Sequence, residues 1–156
     1  MSSTPSNSNR TLVETENRER TQEKNLRAGT GEHMRALIIE DSRAMRSILE
    51  GILGNVGFEV TSVADAEEAL GVLEQDQDFE LALVDWNLPG MSGLDLVIAI
   101  RERPTHADIK LMMVTTETQL GRVVEALDAG ADEYIMKPFD REMLLEKLAL
   151  LGIEVD

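Results

Sequence analysis

The sequence predicts an α/β fold: a doubly wound, five-stranded parallel sheet with five helices distributed over its two faces. Three observations carry that prediction. From Arg35 onward, apolar runs of strand length alternate with stretches of helical period. The run Ile109 to Val114 is almost wholly apolar rather than alternating, as in strands covered on both faces. Three runs also finish in charge: Ala36 to Ile39 meets Glu40-Asp41, Leu81 to Val84 meets Asp85, and Tyr134 to Met136 meets Lys137-Pro138.

After the first strand, Ser42 is placed to cap a helix whose Met45, Ile48, Leu49, Ile52, Leu53 and Val56 mark one apolar face, and Gly57 closes it. A second strand, Phe58 to Val63, leads to Asp65 as a cap and to a helix with Ala66, Ala69, Leu70 and Leu73 in the core. The third strand ends at Asp85, before the turn Trp86-Asn87-Leu88-Pro89-Gly90. Gly93 to Arg103 reads as a helix stopped by Pro104, with His106 exposed in the loop beyond it. Thr115 ends the fourth strand, Ile109 to Val114. The next helix turns Leu120, Val123, Val124 and Leu127 inward, with Gly130 just past its end. Glu133 to Met136 is the fifth strand, and the helix Asp140 to Leu151 packs through Leu144, Leu145, Leu148 and Leu151.

Residues 1–33 contain five basic and five acidic side chains and one adjacent bulky apolar pair, Leu12-Val13. Such a stretch buries too little surface to order itself, so it is expected to be a disordered extension, with one domain over residues 34–156. The whole net charge of -15 then belongs to that domain. Acidity of this size opposes phosphate backbones and anionic membrane surfaces, so no direct nucleic-acid partner is expected. The absence of cysteine excludes disulfides and thiolate chemistry and suits a reducing compartment. No segment has the roughly 20 apolar residues of a membrane span, and the N-terminus lacks a signal-peptide core. A cytoplasmic protein without membrane insertion is the expectation.

Ligands of open parallel sheets bind beyond the carboxyl ends of the strands. Glu40, Asp41, Asp85, Thr115 and Lys137 all lie at such ends. Carboxylates gathered there repel by about 4 kcal/mol per close pair at an effective dielectric of 20, so positive charge must join them. Hard oxygen ligands select a hard divalent cation: Mg2+ first, with Mn2+ as a substitute. Lys137 adds a compact cation. A carboxylate beside a metal and a lysine is a known nucleophile that forms aspartyl-phosphate, and Asp85 is the central candidate. A salt-bridged acidic cluster without metal remains the alternative, as does simple strand-end capping for Thr115.

These residues sit in ordered motifs: Glu40-Asp41-Ser42, Asp85-Trp86-Asn87-Leu88-Pro89, Met91-Ser92-Gly93, Val114-Thr115-Thr116-Glu117, Ala129-Gly130-Ala131 and Lys137-Pro138-Phe139. Through them the chain resembles response-regulator receiver domains over residues 35–151, in particular the single-domain CheY-like members. The resemblance implies a flavodoxin-like strand order 2-1-3-4-5. It implies a histidine kinase as phosphodonor to Asp85, and Mg2+ held by Asp41, Asp85 and the backbone carbonyl of Asn87, with Glu40 helping through water. Lys137 and Thr115 would grip the phosphoryl oxygens. Thr115 and Tyr134 would form the switch, Asn87, Thr116 and Glu117 would tune phosphoryl loss, and Lys137-Pro138 would be cis. Trp86, next to the acceptor, would report metal and phosphate by fluorescence. Two positions depart from the family: Glu40 replaces the commoner aspartate, and Thr116 is bulkier than the usual small residue.

The implied role is a two-component response regulator that catalyses only its own phosphoryl transfer and dephosphorylation. Only Gly152 to Asp156 come after Leu151, so output is expected through a partner at the surface of the fourth helix, fifth strand and fifth helix. A chemotaxis output at a flagellar motor switch, with a dedicated phosphatase, is the leading expectation. A phosphorelay intermediate or phosphate sink are alternatives. A Mg2+-dependent phosphatase with an aspartyl nucleophile is the rival class; its paired acids stand two apart after one strand, where this chain has Asn87 two after Asp85.

Overall fold

The computed structural model describes residues 34–116 and 120–154. The extension over 1–33 and Glu117 lie outside the described residues. The elements are β1 Met34–Ile39, α1 Arg43–Asn55, β2 Phe58–Val63, α2 Ala66–Gln75, β3 Leu81–Asp85, α3 Gly93–Arg101, a 3-10 turn Pro104–His106, β4 Lys110–Thr115, α4 Leu120–Ala129, β5 Glu133–Met136 and α5 Arg141–Leu150. The five strands form one sheet in the order β2-β1-β3-β4-β5, with parallel pairing from β1 through β5. The fold class is therefore as the sequence predicts, and the strand order is as the family resemblance implies. Among the described residues, no helix is long and apolar enough to cross a membrane.

Alternation along the strands assigns the two faces. Leu37, Ile39, Ala82, Val84, Leu111 and Met113 join Ala66, Ala69 and Leu73 of α2, Leu96, Val97 and Ile100 of α3, and Ala126 of α4 in one core cluster. The intervening strand residues Ile38, Leu83 and Met112 are also buried, as are Leu49 and Leu53 of α1 and Leu144 and Leu148 of α5, which cover the other face. Side-chain caps start four of the helices: Ser42 accepts from the Met45 amide, Asp65 from Glu68, Ser92 from Asp95 and Asp140 from Met143. Each such cap stabilises by about 1 kcal/mol.

Several details differ from expectation. Ile48 is 54% exposed, so α1 meets the sheet along Leu49, Leu53 and the succeeding Val56, with Ile48 turned to solvent. On α4 the core line is Val123 and Ala126, whereas Val124 and Leu127 are exposed, one residue being about 100° of rotation. Helix α3 ends at Arg101, two residues early, because Pro104 drives Arg103 into extended backbone at φ -100 and ψ 115.

His106 is buried, correcting its expected exposure. Its Nε2 lies 3.1 Å from the carbonyl of Leu73 in the last turn of α2, and that carbonyl can only accept, so Nε2 carries the hydrogen. The imidazole thus satisfies a helix-end carbonyl, as a structural residue would. His106→Ala is expected to destabilise the fold by about 2 kcal/mol, measured by urea unfolding.

Candidate functional site

Register places the charged strand ends together. Ile39 pairs with Val84, Asp85 with Val114 and Thr115 with Met136, so the residues just past β1 and β5 flank the ends of β3 and β4. Glu40, Asp41 and Asp85 each offer a carboxylate oxygen, and these atoms lie within 4.8 Å of one another. Glu40 and Asp85 are buried, 1% and 5% exposed, whereas Asp41 faces solvent.

Lys137 closes the cluster from the end of β5. Its Nζ donates to Glu40 Oε1 at 2.7 Å and lies 3.5 Å from Asp85 Oδ2, so its shorter contact is to the glutamate rather than the central aspartate. The Ser42 amide holds the other Glu40 oxygen at 3.0 Å. Both Glu40 oxygens are thereby occupied. The Asn87 amide donates to Asp85 Oδ1 at 3.2 Å. Thr115 is buried at the end of β4, Thr116 is exposed beside it, and the Lys137–Pro138 peptide is cis.

Electrostatics separates the two buried carboxyls. For Asp85, burial and then repulsion from Glu40 raise the carboxyl from 3.8 to about 6, against the opposing charge of Lys137. For Glu40, burial acts to raise the group, but hydrogen bonds from Lys137 and the Ser42 amide outweigh it and hold the carboxyl below 4.5. The lysine is engaged mainly by Glu40, leaving Asp85 the carboxylate with most to gain from an arriving cation.

Three contributors escape a reading of strand ends alone. Arg46, half-buried on α1, donates from Nη1 to the carbonyls of Glu40 and Asp41 at 2.7 and 3.2 Å. Arg122 of α4 places its guanidinium 5.7 Å from the centroid of the buried Trp86 ring, next to Asp85 in the chain. Gly93 opens α3 against the end of β3: a Cβ there would lie 2.1 Å from the Asp85 carbonyl oxygen. Arg46 sits six residues after Glu40, a spacing that shows contact only once the loop turns into a helix. Gly93→Ala should push the Asp85 carbonyl aside and cost about 2 kcal/mol, detected as a lowered thermal midpoint. Tyr134, half-buried on β5, has the Lys147 ammonium 4.7 Å from its ring centroid.

Known proteins share this sequence pattern and fold. The response regulator receiver domain family matches residues 36–149. The chain is 39% identical over 121 residues to chemotaxis protein CheY1 of Helicobacter pylori, covering 76% of this chain and 96% of that protein. It is 35% identical over 115 residues to chemotaxis protein CheY of Pseudomonas aeruginosa, covering 74% and 93%. The structure of the chemotaxis response regulator CheY4 of Vibrio cholerae superposes with a TM-score of 0.72 at 31% identity, covering 76% of this chain and 98% of that one. The receiver domain of a sensor histidine kinase from Pseudomonas aeruginosa, solved with a magnesium ion coordinated in its active site cleft, gives 0.69 at 26% identity, covering 77% and 98%. Sequence and fold agree over nearly the whole described domain, and the chain belongs to the response regulator receiver domains of two-component signalling, in their CheY-like form.

Proposed function

We propose that Asp85 accepts a phosphoryl group from a phosphohistidine of a histidine kinase, and that the modified domain then acts on a partner protein. The observation that carries this reading is the buried Asp85 carboxylate at the end of β3, within 4.8 Å of Glu40 and Asp41 oxygens and 3.5 Å from Lys137. The phosphorus–nitrogen bond of the donor breaks as a bond from phosphorus to an Asp85 oxygen forms, and the histidine recovers a proton.

The donor set fits a divalent cation. Asp41, Asp85 and the Asn87 carbonyl would hold Mg2+, with Glu40 acting through water because Lys137 and Ser42 already engage both its oxygens. Bound there, the ion would neutralise charge on the transferring group. A magnesium ion in the active site cleft of the similar kinase receiver domain supports the choice. Lys137 would trade part of its hold on Glu40 for a phosphoryl oxygen, and Thr115 would donate its hydroxyl to another. Tyr134, on the strand next to Thr115, would move inward with that hydroxyl and change the surface of α4, β5 and α5. Asn87, Thr116 and Glu117 would tune phosphoryl loss. The domain so described catalyses only its own phosphorylation and dephosphorylation.

The names of the relatives, chemotaxis proteins, favour a chemotaxis output. The flagellar motor switch would then be the partner, and a separate phosphatase would end the signal. The test is intact mass after incubation with acetyl phosphate, with Mg2+ and with chelator. A gain of one phosphoryl group only with the metal is expected. No gain would overturn the reading, and sustained hydrolysis of phosphate esters would favour the phosphatase class instead.

A further inference from the structure

We propose that Arg46 is the positioning residue of the metal-binding loop, aiming the Asp41 carboxylate at the cation through the backbone. The proposal rests on the magnesium reading of the site. The three clustered carboxylates differ in how they are held. Glu40 is fixed at both oxygens by Lys137 and Ser42, and Asp85 is fixed by Asn87 and Lys137. Asp41 is exposed, and among the described residues no hydrogen bond or ion pair holds its carboxylate. Its direction therefore depends on the peptide planes on either side of its Cα.

Arg46 holds both planes. One Nη1 carries two hydrogens and donates to the Glu40 carbonyl at 2.7 Å and to the Asp41 carbonyl at 3.2 Å. The arginine is itself anchored in the first turn of α1, where its amide donates to the Ser42 carbonyl at 2.9 Å. A planar guanidinium suits the task, because it presents directed hydrogens at the end of a long arm and stays charged at any working pH. By bonding carbonyls rather than carboxylates, it leaves the ligand oxygens free for the metal. Groups that orient metal ligands commonly change metal affinity by tenfold or more when removed.

Charge and position predict opposite signs. A cation beside a magnesium site repels the ion, so if Arg46 acted only through its charge, its removal would tighten binding. If it positions Asp41, removal weakens binding. Mg2+ affinity is measured by isothermal titration calorimetry on the wild type, Arg46→Ala and Arg46→Lys at fixed ionic strength, with the metal-free thermal midpoint of each recorded beside it. Arg46→Ala should bind Mg2+ about tenfold more weakly, and Arg46→Lys should fall between it and the wild type, having the charge without the fork. Wild-type or tighter affinity in Arg46→Ala overturns the proposal. Should that variant fail to fold, Arg46→Lys carries the test, and wild-type affinity there overturns it. A wild type that binds no Mg2+ would instead overturn the magnesium reading.

Discussion

Asp85→Asn is expected to abolish phosphoryl uptake while making the metal-free domain more stable at neutral pH. The asparagine keeps an oxygen for the Asn87 amide, and Lys137 keeps its 2.7 Å bond to Glu40, so the charge that is lost is one whose burial and repulsion by Glu40 outweigh its attraction to Lys137. The folded-state carboxyl, raised from 3.8 to about 6, holds its proton to a higher pH than the unfolded chain does. Its favourable contribution is therefore full below about pH 3.8 and is lost as pH rises through about 6. Above that range Asp85→Asn should exceed the wild type by roughly 2–3 kcal/mol, and the gap should close toward pH 4. Urea unfolding at several pH values measures it. Mg2+ should reverse the order, because it stabilises whichever protein binds it more tightly, and the asparagine variant lacks one carboxylate. A wild type already the more stable without metal at pH 8 would contradict the repulsion described for Asp85.

Lys137→Met should be the most destabilising change in the site. Glu40 is 1% exposed, and the substitution removes its shortest charged partner. Breaking a buried pair by deleting one member typically costs about 3–5 kcal/mol, because the other charge stays buried and uncompensated. The pH sign is set by Glu40, whose carboxyl is held low by hydrogen bonding that includes Lys137. The stability this supplies is present above pH 4.5 and is lost as pH falls, so the penalty of Lys137→Met should shrink in acid. Adding Glu40→Gln should recover part of the stability, since the buried Glu40 charge is then gone and Asp85 is relieved of its repulsion although it still lacks Lys137, yet phosphoryl uptake should stay low in both variants. A loss in the double variant equal to the sum of the Lys137→Met and Glu40→Gln single losses would show that the pair is not coupled.

Much of the site is legible along the chain because the parallel sheet repeats one rule. Each apolar run is long enough to cross the core once, and the residues just past it must emerge at the same end of the sheet. Glu40, Asp85, Thr115 and Lys137 can therefore be grouped from sequence, and the register sets them side by side. Helix faces are less legible. Ile48, Val124 and Leu127 have the right spacing for a core stripe, but spacing does not say where on the helix the sheet presses, and on α4 that line runs through Val123 and Ala126. His106 escapes a sequence reading for a related reason: a loop histidine becomes buried only because Pro104 starts a tight turn that brings it under the end of α2.

The amino-acid sequence by itself determined the strand and helix alternation and the grouping of Asp85 with the acids and lysine around it, because hydrophobic period and strand-end chemistry are local properties. Only the tertiary structure decided how the charges are shared. Lys137 is 97 residues from Glu40 along the chain and 2.7 Å from it in space. That closeness commits the lysine first to Glu40, leaves Asp85 protonated more readily than an ordinary aspartate, and accompanies an Arg46 turned onto the carbonyls that aim Asp41. Such allocation depends on distance and burial, which arise only when strands far apart in sequence are laid edge to edge.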